Sequence, residues 1–531
     1  MSFTRPSPRA TRFGLAVGAS LALFAASLPG AAAAPPNNPR AGHVDPIVKK
    51  KFAADARGDV QVIITRDHSG SDDADVRRHG GRVLQKLNLA NTTVAVVPVK
   101  QVDALASEPG IVRISYDTPV SVQTLVPLSL ASAQLQTVFP AAVDASTQWN
   151  GARQLRGTGV GVAIIDSGVR SSHPDFQGGS LLGSGRLLNV LNGISGSPLS
   201  GVDDNGHGTF VAGIIGGRGW GVPGVTAGSY VGTAPDANLI SIKVADSTGM
   251  AHVSDVISAI EWVSKNRKAY NIRVLNLSLV TSVADSYHTD LLDAAVELAW
   301  LQGLVVVVAA GNAGPNAGIT APANDPFVIT VGATDDKGTL STADDTLAAF
   351  SSYGTTVDHL IKPDLVAPGR HIVSTLSSRT DPLALRFPTR VTGGGSYISL
   401  SGTSAAAPVI SGVIAQLLQG RPMLSPGQVK WLLTQTAQPV AGSGTGAGYP
   451  RVGAAVGYTN ALHNANVGLR PNDYLRAAFA GNTGQTWGTV SWDSVSWDSV
   501  SWDSVSWDSV SWDSVSWDSV SWDSVSWLPA D

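Results

Sequence analysis

The sequence predicts an α/β protein in which a small α+β module precedes the main domain and a repetitive tail follows it. We expect the main domain to carry a doubly wound, mostly parallel sheet, because short apolar runs alternate with helical stretches between about residues 159 and 310. A compact strand-and-helix pattern lies before this region, and a five-residue repeat lies after it. With 531 residues, the chain is long enough for more than one domain.

Composition excludes several classes of function. Lys and Arg number 36 against 40 Asp and Glu, and no basic stripe indicates a nucleic-acid partner. The absence of cysteine excludes disulfides and cysteine-based zinc sites. The sequence points to no cofactor needed for catalysis.

The first 34 residues have the pattern of an export signal. Three arginines precede an apolar run over residues 13–28, a Pro-Gly break and four alanines. Cleavage after Ala33 or Ala34 is equally consistent with this pattern. The run is short for a membrane span, although a retained anchor is the alternative interpretation. We therefore expect a secreted, extracellular protein.

The sequence pattern of residues 35–122 predicts a compact module with the element order β-α-β-β-α-β, which is typical of a small ferredoxin-like sandwich. The predicted strands are 60–64, 82–87, 92–99 and 111–116, and the predicted helices are 72–79 and 101–107. Alone this is a generic module, but its position after an export signal favours a removable pro-segment. Residues 117–143 look irregular, so we expect a processing site within the linker 123–144.

Polar residues follow two predicted elements of the main domain. Asp166 ends the apolar strand pattern 159–165, where ligands bind in open α/β sheets. His207 opens a Gly- and Ala-rich helix after the polar loop 203–206. Each residue alone has a plain structural interpretation: an aspartate in an ordinary turn, or a hydrogen-bonded structural histidine.

Two further residues complete the pattern. Asn312 follows the last of three apolar strands, 239–244, 274–279 and 304–310, and its amide could donate to a developing oxyanion or simply form a turn. Ser404 stands at the start of an Ala-rich helix, where free backbone N–H groups suit a nucleophile. It could also merely cap that helix.

Together these stretches resemble the subtilase (subtilisin-like) serine peptidases. The motifs are Asp-Ser-Gly at 166–168, His-Gly-Thr-Phe-Val-Ala-Gly at 207–213, Ala-Ala-Gly-Asn at 309–312 and Gly-Thr-Ser-Ala-Ala-Ala-Pro at 402–408. Their order Asp, His, Asn, Ser is the subtilase order. The stretch 362–369 also matches, and the resemblance covers residues 145–465. The preceding module resembles the inhibitory pro-domain of such enzymes.

The resemblance implies hydrolysis of peptide bonds in proteins or peptides. Ser404 would be the nucleophile, His207 the general base and acid, Asp166 its orienting carboxylate, and Asn312 an oxyanion donor. The resemblance also implies a zymogen that processes itself and is inhibited by its own pro-domain.

The family pairs substrates with two edge segments, which map here to 276–280 and 247–250. The substrate-binding candidates are Ser278, Leu279, Val280 and Gly249. The family usually has glycine at the position of Val280, so we expect a narrower specificity pocket. The resemblance also makes structural calcium a candidate, because calcium is common in the family, but its ligands cannot be assigned. The oxygens of residues 203–205 are candidates, and a solvated polar loop is the alternative.

The tail differs in kind from the rest of the chain. After a predicted linker at 466–489, residues 490–531 repeat Ser-Trp-Asp-Ser-Val seven times. Either a low-complexity segment that orders on a partner or a narrow solenoid fits this period. Its tryptophans make a cell surface or polysaccharide a candidate partner. Two alternative functions remain: a surface-binding protein whose peptidase domain is a scaffold, and transpeptidation.

Overall fold

The computed structural model describes residues 43–45, 48, 58–66, 72–87, 89, 92–122, 137–177, 186–191, 202–219, 222–315 and 318–475. The predicted export signal, the repeat tail and the second half of the predicted linker lie outside these residues. None of the helices in the described part of the chain is long and apolar enough to cross a membrane.

The amino-terminal module is built on one five-stranded sheet. Its elements are β1 (His43–Val44), β2 (Asp59–Arg66), α1 (Asp72–Arg78), β3 (Arg82–Leu87), β4 (Thr92–Pro98), a 3₁₀ turn (Val99–Gln101), α2 (Val102–Ala106) and β5 (Ile111–Tyr116). The strand order is β1-β5-β2-β4-β3, and all pairs are antiparallel except β1 with β5. Apart from β1, this is the ferredoxin-like arrangement. The module buries its own apolar cluster between sheet and helices.

The remaining elements belong to one large domain and the strand that leads into it. The strands are β6 (Pro119–Val122), β7 (Gly161–Asp166), β8 (Leu187–Leu191), β9 (Asn238–Lys243), β10 (Met250–His252), β11 (Ile272–Leu277), β12 (Leu279–Thr281), β13 (Val305–Ala309), β14 (Ile329–Asp335), β15 (Thr346–Leu347), β16 (Gly354–Thr355), β17 (Ile361–Lys362), β18 (Leu365–Pro368), β19 (Ile372–Thr375), β20 (Val391–Thr392) and β21 (Tyr397–Leu400).

The helices are α3 (Phe139–Ala142), α4 (Ala145–Gln148), α5 (His207–Gly216), α6 (Val253–Asn266), α7 (Leu291–Leu301), α8 (Pro382–Arg386), α9 (Thr403–Gly420), α10 (Pro426–Gln435) and α11 (Val452–Gly457). Short 3₁₀ turns lie at Pro174–Phe176, Pro388–Arg390 and Gly393–Gly395.

The large domain has the predicted α/β architecture. Strands β8, β9, β7, β11, β13, β14 and β18 run parallel in that order, and β15 adds one antiparallel pair to β14. The central strands are fully buried, which explains their continuous apolar sequences. Helices α5 and α9 pack together, and α9 also packs against β11, β13 and β14, so the carboxyl ends of the sheet and the starts of both helices meet.

Three sequence predictions differ from the structure. The prediction that residues 117–143 are irregular is wrong for β6, which pairs with β10 and β12, and for helix α3. The predicted strand 274–279 is interrupted at Ser278 and divides into β11 and β12. The described part of the predicted linker is packed, since Asn472 and Leu475 are buried.

Candidate active site

His207 and Asp166 form a buried hydrogen-bonded pair. Nδ1 of His207 lies 2.8 Å from Oδ1 and 3.0 Å from Oδ2 of Asp166. Asp166 ends β7, and its Oδ1 also accepts from the backbone N–H of Ser167 at 2.7 Å. The histidine begins α5 close to this strand end, which requires small residues. A side chain at Gly208 would clash with the carbonyl oxygen of Gly168.

A second aspartate holds these two elements together. Oδ1 of Asp203 accepts from the Ser167 hydroxyl at 2.9 Å and from the N–H of Gly206 at 2.7 Å, and Oδ2 accepts from the N–H of Thr209 at 2.8 Å. The Ser167 hydroxyl in turn accepts from the N–H of Gly208. Burial raises the pKa of Asp203, and these hydrogen bonds oppose that rise. The carboxylate therefore fixes the position of the histidine helix relative to β7.

Ser404 is the second residue of α9 and is fully buried in this structure. The helix begins after Gly402, whose N–H donates to the carbonyl of Gly369 at 2.8 Å. The hydroxyl of Ser404 points to the carbonyl oxygen of Ser278, 3.4 Å away. Among the described residues, Nε2 of His207 has no hydrogen-bond partner. The two groups lie at the same end of the sheet, but they are not hydrogen-bonded here, as is common before substrate binds.

The amide of Asn312 is oriented by the residue before the serine. Its Oδ1 accepts from the backbone N–H of Thr403 at 2.8 Å and from the Thr403 hydroxyl at 2.9 Å. The same hydroxyl accepts from the N–H of Gly311 at 3.1 Å. Because Oδ1 is used in this way, Nδ2 is the group that the side chain can offer to an oxyanion.

Thr403 was not predicted as a site residue, and Asp203 was considered only as a candidate calcium ligand. A polar residue beside the candidate serine and an aspartate in the loop before the histidine were visible signals. Their contacts, however, depend on residues distant in sequence.

The predicted substrate-binding segments lie on either side of strand β6, which fills the space between them. Strand β6 lies antiparallel between β10 and β12, with Ser121 paired with both Met250 and Val280. The N–H of Val122 donates to the carbonyl of Gly249 at 3.0 Å. Leu279 is paired with Val122, and Ser278 comes directly before it in the chain. The structure thus brings the predicted substrate-binding residues to the two walls of one cleft, and the chain that follows the module fills it.

The loop before the histidine does not fit a calcium ion. Its carboxylate at Asp203 is used by backbone N–H groups, Asp204 pairs with the Lys243 ammonium at 2.6 Å, and Asn205 bonds to the backbone at Ser247 and His207. Within the described ranges, no group of three or more His, Asp or Glu residues is arranged to hold a metal. The alternative of a solvated polar loop describes only Asp204, because Asp203 and Asn205 are 2% and 6% exposed.

Comparisons with known proteins agree with this geometry. The family model described as the subtilase family matches residues 157–463. The serine protease AprX of Bacillus subtilis (strain 168) is 38% identical over 318 residues, covering 57% of this chain and 69% of AprX. The M-protease of Shouchella clausii (strain KSM-K16) is 33% identical over 353 residues, covering 65% of this chain and 74% of that protein.

A solved structure shows the same fold. Fervidolysin of Fervidobacterium pennivorans, a keratinolytic enzyme related to subtilisin, aligns with a TM-score of 0.56 and 24% identity. The alignment covers 76% of this chain and 61% of fervidolysin. The family match over more than half the chain agrees with the shared architecture. The chain belongs to the subtilase family and is a serine-type endopeptidase.

Proposed function

We propose that Ser404, His207 and Asp166 act as the catalytic triad of this endopeptidase. The observation that carries the proposal is the buried pair of His207 and Asp166 at one end of the sheet, with Ser404 beginning the neighbouring helix. A change in the side-chain rotamer of Ser404 would turn its hydroxyl from Ser278 toward Nε2 of His207. Asp166 would keep Nδ1 protonated, so that Nε2 can accept a proton.

In the first step, Oγ of Ser404 attacks the carbonyl carbon of the scissile bond, and its proton passes to Nε2 of His207. The negative oxygen is stabilised by Nδ2 of Asn312 and the backbone N–H of Ser404. Collapse of this intermediate expels the amine, which takes the proton from His207 and leaves an acyl-enzyme. Water then attacks the ester and gives a proton to His207. Collapse of this second intermediate releases the acid, and His207 returns the proton to Oγ of Ser404.

The substrate would bind as an added strand in the cleft between β10 and β12. Gly249, Ser278, Leu279 and Val280 would supply backbone partners and the pocket wall. The support is that β6 pairs with both edges in this way. Because β6 directly follows the amino-terminal module, the same observation supports a zymogen that presents its own chain to the nucleophile.

The end of β6 lies close to the candidate nucleophile. Val122 pairs with Leu279, and the carbonyl of the preceding Ser278 lies 3.4 Å from the Ser404 hydroxyl. We therefore expect cleavage of the Gln123–Thr124 bond. The cleaved module would then inhibit the enzyme, since β6 would still fill the cleft.

The test compares the parent chain with Ser404→Ala by intact mass and casein hydrolysis. The parent is expected to lose a segment ending at residue 123 and to digest casein, whereas the variant stays uncut and inactive. Identical processing of both chains without casein hydrolysis would indicate an external protease and a scaffold role. Asp166→Ala is a second variant that should stay uncut if the triad assignment is right.

The proposal also assigns roles to the predicted export signal and to the repeat tail. We propose that residues 1–34 direct secretion and that the repeats at 490–531 bind a cell surface or polysaccharide; both rest on sequence alone. A chain ending at residue 489 should keep its casein activity but lose retention on cell-wall material. Equal retention of both chains would exclude a binding role for the repeats.

A further inference from the structure

The segment that follows the subtilase region is anchored on the large domain. Asn466 donates through Nδ2 to the carbonyl of Phe327 at 3.0 Å. The N–H of Asn472 donates to Oε2 of Glu297 at 2.8 Å, and its Nδ2 donates to the carbonyl of Asp290 at 2.8 Å. Asn472 is completely buried. The chain is therefore held in place well beyond residue 463, where the family match ends.

The next residues of this segment contact the amino-terminal module. The Tyr474 hydroxyl lies 3.4 Å from the Ser115 hydroxyl on β5, and the Arg113 guanidinium lies 5.9 Å from the centre of the Tyr474 ring. Tyr474 and Leu475 are 9% and 3% exposed. They belong to an apolar cluster that also contains Ile63 of β2. A cationic side chain over a buried aromatic ring and a polar contact at its edge make this a specific contact.

The module is thus held at three places. Strand β6 occupies the substrate cleft, and β3 and its following turn contact α6, where Gln85 donates to Ser258 at 2.7 Å and the N–H of Leu89 donates to Glu261 at 2.9 Å. Both of these partners belong to the subtilase region. The third contact, through Tyr474, comes from outside it.

We propose that residues 466–475 form a latch that retains the cleaved module on the peptidase domain. The partner is the β5 face of the module, which is recognised by the Tyr474 ring through Arg113 and Ser115. Release of the enzyme then depends on a segment that lies after the peptidase unit in the chain. This inference rests on the proposed zymogen, but it assigns a regulatory role to residues that take no part in the chemistry.

The test uses the full chain and separates processing from release. Intact mass follows the first cleavage, and the delay before casein hydrolysis reports release of the module. We expect Tyr474→Ala to leave the first cleavage unchanged and to shorten the delay at least about fivefold, as for loss of a buried aromatic anchor at an interface. Arg113→Ala, on the opposite side of the contact, should shorten the delay in the same direction.

Two controls identify the cause. Tyr458→Ala removes another tyrosine of the large domain, one that packs on Trp431 with ring centres 5.6 Å apart, and should leave the delay as in the parent. The double variant Arg113→Ala/Tyr474→Ala should be faster than the parent by less than the product of the two single effects, because both remove the same contact.

The outcomes are distinct. A parent-like delay in Tyr474→Ala, or the same shortening in Tyr458→Ala, overturns the latch. A parent chain that never loses its amino-terminal segment overturns the proposed zymogen instead. If Tyr474→Ala does not fold, Arg113→Ala decides alone, since it changes only the module: an unchanged delay in that variant also overturns the latch.

Discussion

Pro408 explains an unusual contact of the candidate nucleophile. In a regular helix, the N–H of residue 408 would donate to the carbonyl of Ser404, but proline has no N–H. The hydroxyl of Ser278 donates to this carbonyl instead, at 3.3 Å. Ser278 itself accepts from Nδ2 of Asn276 at 3.0 Å. One residue thus connects the helix that carries Ser404 with the wall of the substrate cleft.

The residue Asn312 also leads to a prediction. Asn312→Ala should lower kcat by about 10²–10³-fold with little change in KM, because the amide would act only on the oxyanion that forms during the reaction. Asn312→Asp is the matched control, since it keeps an acceptor for the Thr403 N–H and loses the donor. Steady-state hydrolysis of a peptide substrate measures both. Parent-like kcat in Asn312→Asp would assign the residue to positioning Thr403 and would contradict the oxyanion role.

Val280 should limit the size of the residue accepted before the scissile bond. Its side chain is buried in the wall of the cleft opposite β6. Val280→Gly is expected to raise the ratio of kcat/KM for Phe over Ala at that position by about tenfold or more, as for pockets that gain a few methylenes. Paired peptides with Ala and Phe measure the ratio. An unchanged ratio would show that other residues form the limiting wall.

Ala405 follows the nucleophile where many subtilases carry methionine. Without an oxidisable sulfur at that position, the parent enzyme should keep most of its casein activity in mild peroxide. Met250, which is 42% exposed and paired with β6, is the oxidation target that lies beside the predicted substrate-binding segments, whereas Met423 is 92% exposed. Met250→Leu controls for its oxidation. Rapid loss of activity in both proteins would contradict the prediction.

At the scale of secondary-structure elements, Asp203 connects the end of β7 with the start of α5. In Asp203→Asn, the side-chain NH₂ group would face at least one of the backbone N–H groups that now donate hydrogen bonds to the carboxylate. We expect the free energy of unfolding to fall by about 1–3 kcal/mol and kcat to fall about 10²-fold through displacement of His207. Thermal unfolding and kinetics of the mature enzyme test both. A change in KM with kcat unchanged would exclude a positioning role.

The elements differ in how well the sequence predicts them. Strands β7, β9 and β13 were predicted within one or two residues, because strands buried on both faces read as continuous apolar runs. Strand β6 was missed, since its four residues gain strand structure only by pairing with β10 and β12, more than a hundred residues away. The break at Ser278 was missed for a similar reason.

In the candidate site, too, some residues could be predicted from the local sequence and others could not. Local motifs identified Asp166, His207, Asn312 and Ser404, because each follows a strand or begins a helix. The roles of Asp203 and Tyr474 could not be predicted in this way. Each contacts groups from separate elements, and no local pattern records which N–H groups or rings a distant segment will bring to it.

At the scale of the whole molecule, carboxylates of the large domain and of the module lie close together where these two parts pack. Burial, with the nearby charges of Asp285 and Asp45 as smaller causes, raises the pKa of Asp290 to about 6. Asp45 belongs to the module, and the Arg113 guanidinium lies 3.4 Å from its carboxylate. Burial likewise raises the pKa of Asp285, with Asp45 as an additional cause. Deprotonation of these carboxylates therefore opposes the packing of the module on the large domain.

The sign of the resulting pH dependence follows from the raised pKa. Folded Asp290 holds its proton up to about pH 6, whereas the unfolded residue loses it near 3.8. Its contribution to stability is thus complete below about pH 3.8 and is lost progressively as pH rises to about 6, by about 3 kcal/mol in total. Asp290→Asn removes this loss and keeps the cap of α7, because Oδ1 can still accept from the N–H of Leu292.

We therefore expect Asp290→Asn to raise the unfolding temperature of the uncut chain more at pH 8 than at pH 5. Both proteins would carry Ser404→Ala to prevent self-digestion during thermal unfolding. Asp344→Asn, at an exposed position, controls for the loss of one negative charge. The same difference between Asp290→Asn and its parent at both pH values would mean that Asp290 is not protonated in the folded, uncut chain. The junction would then make no contribution to a pH dependence of stability.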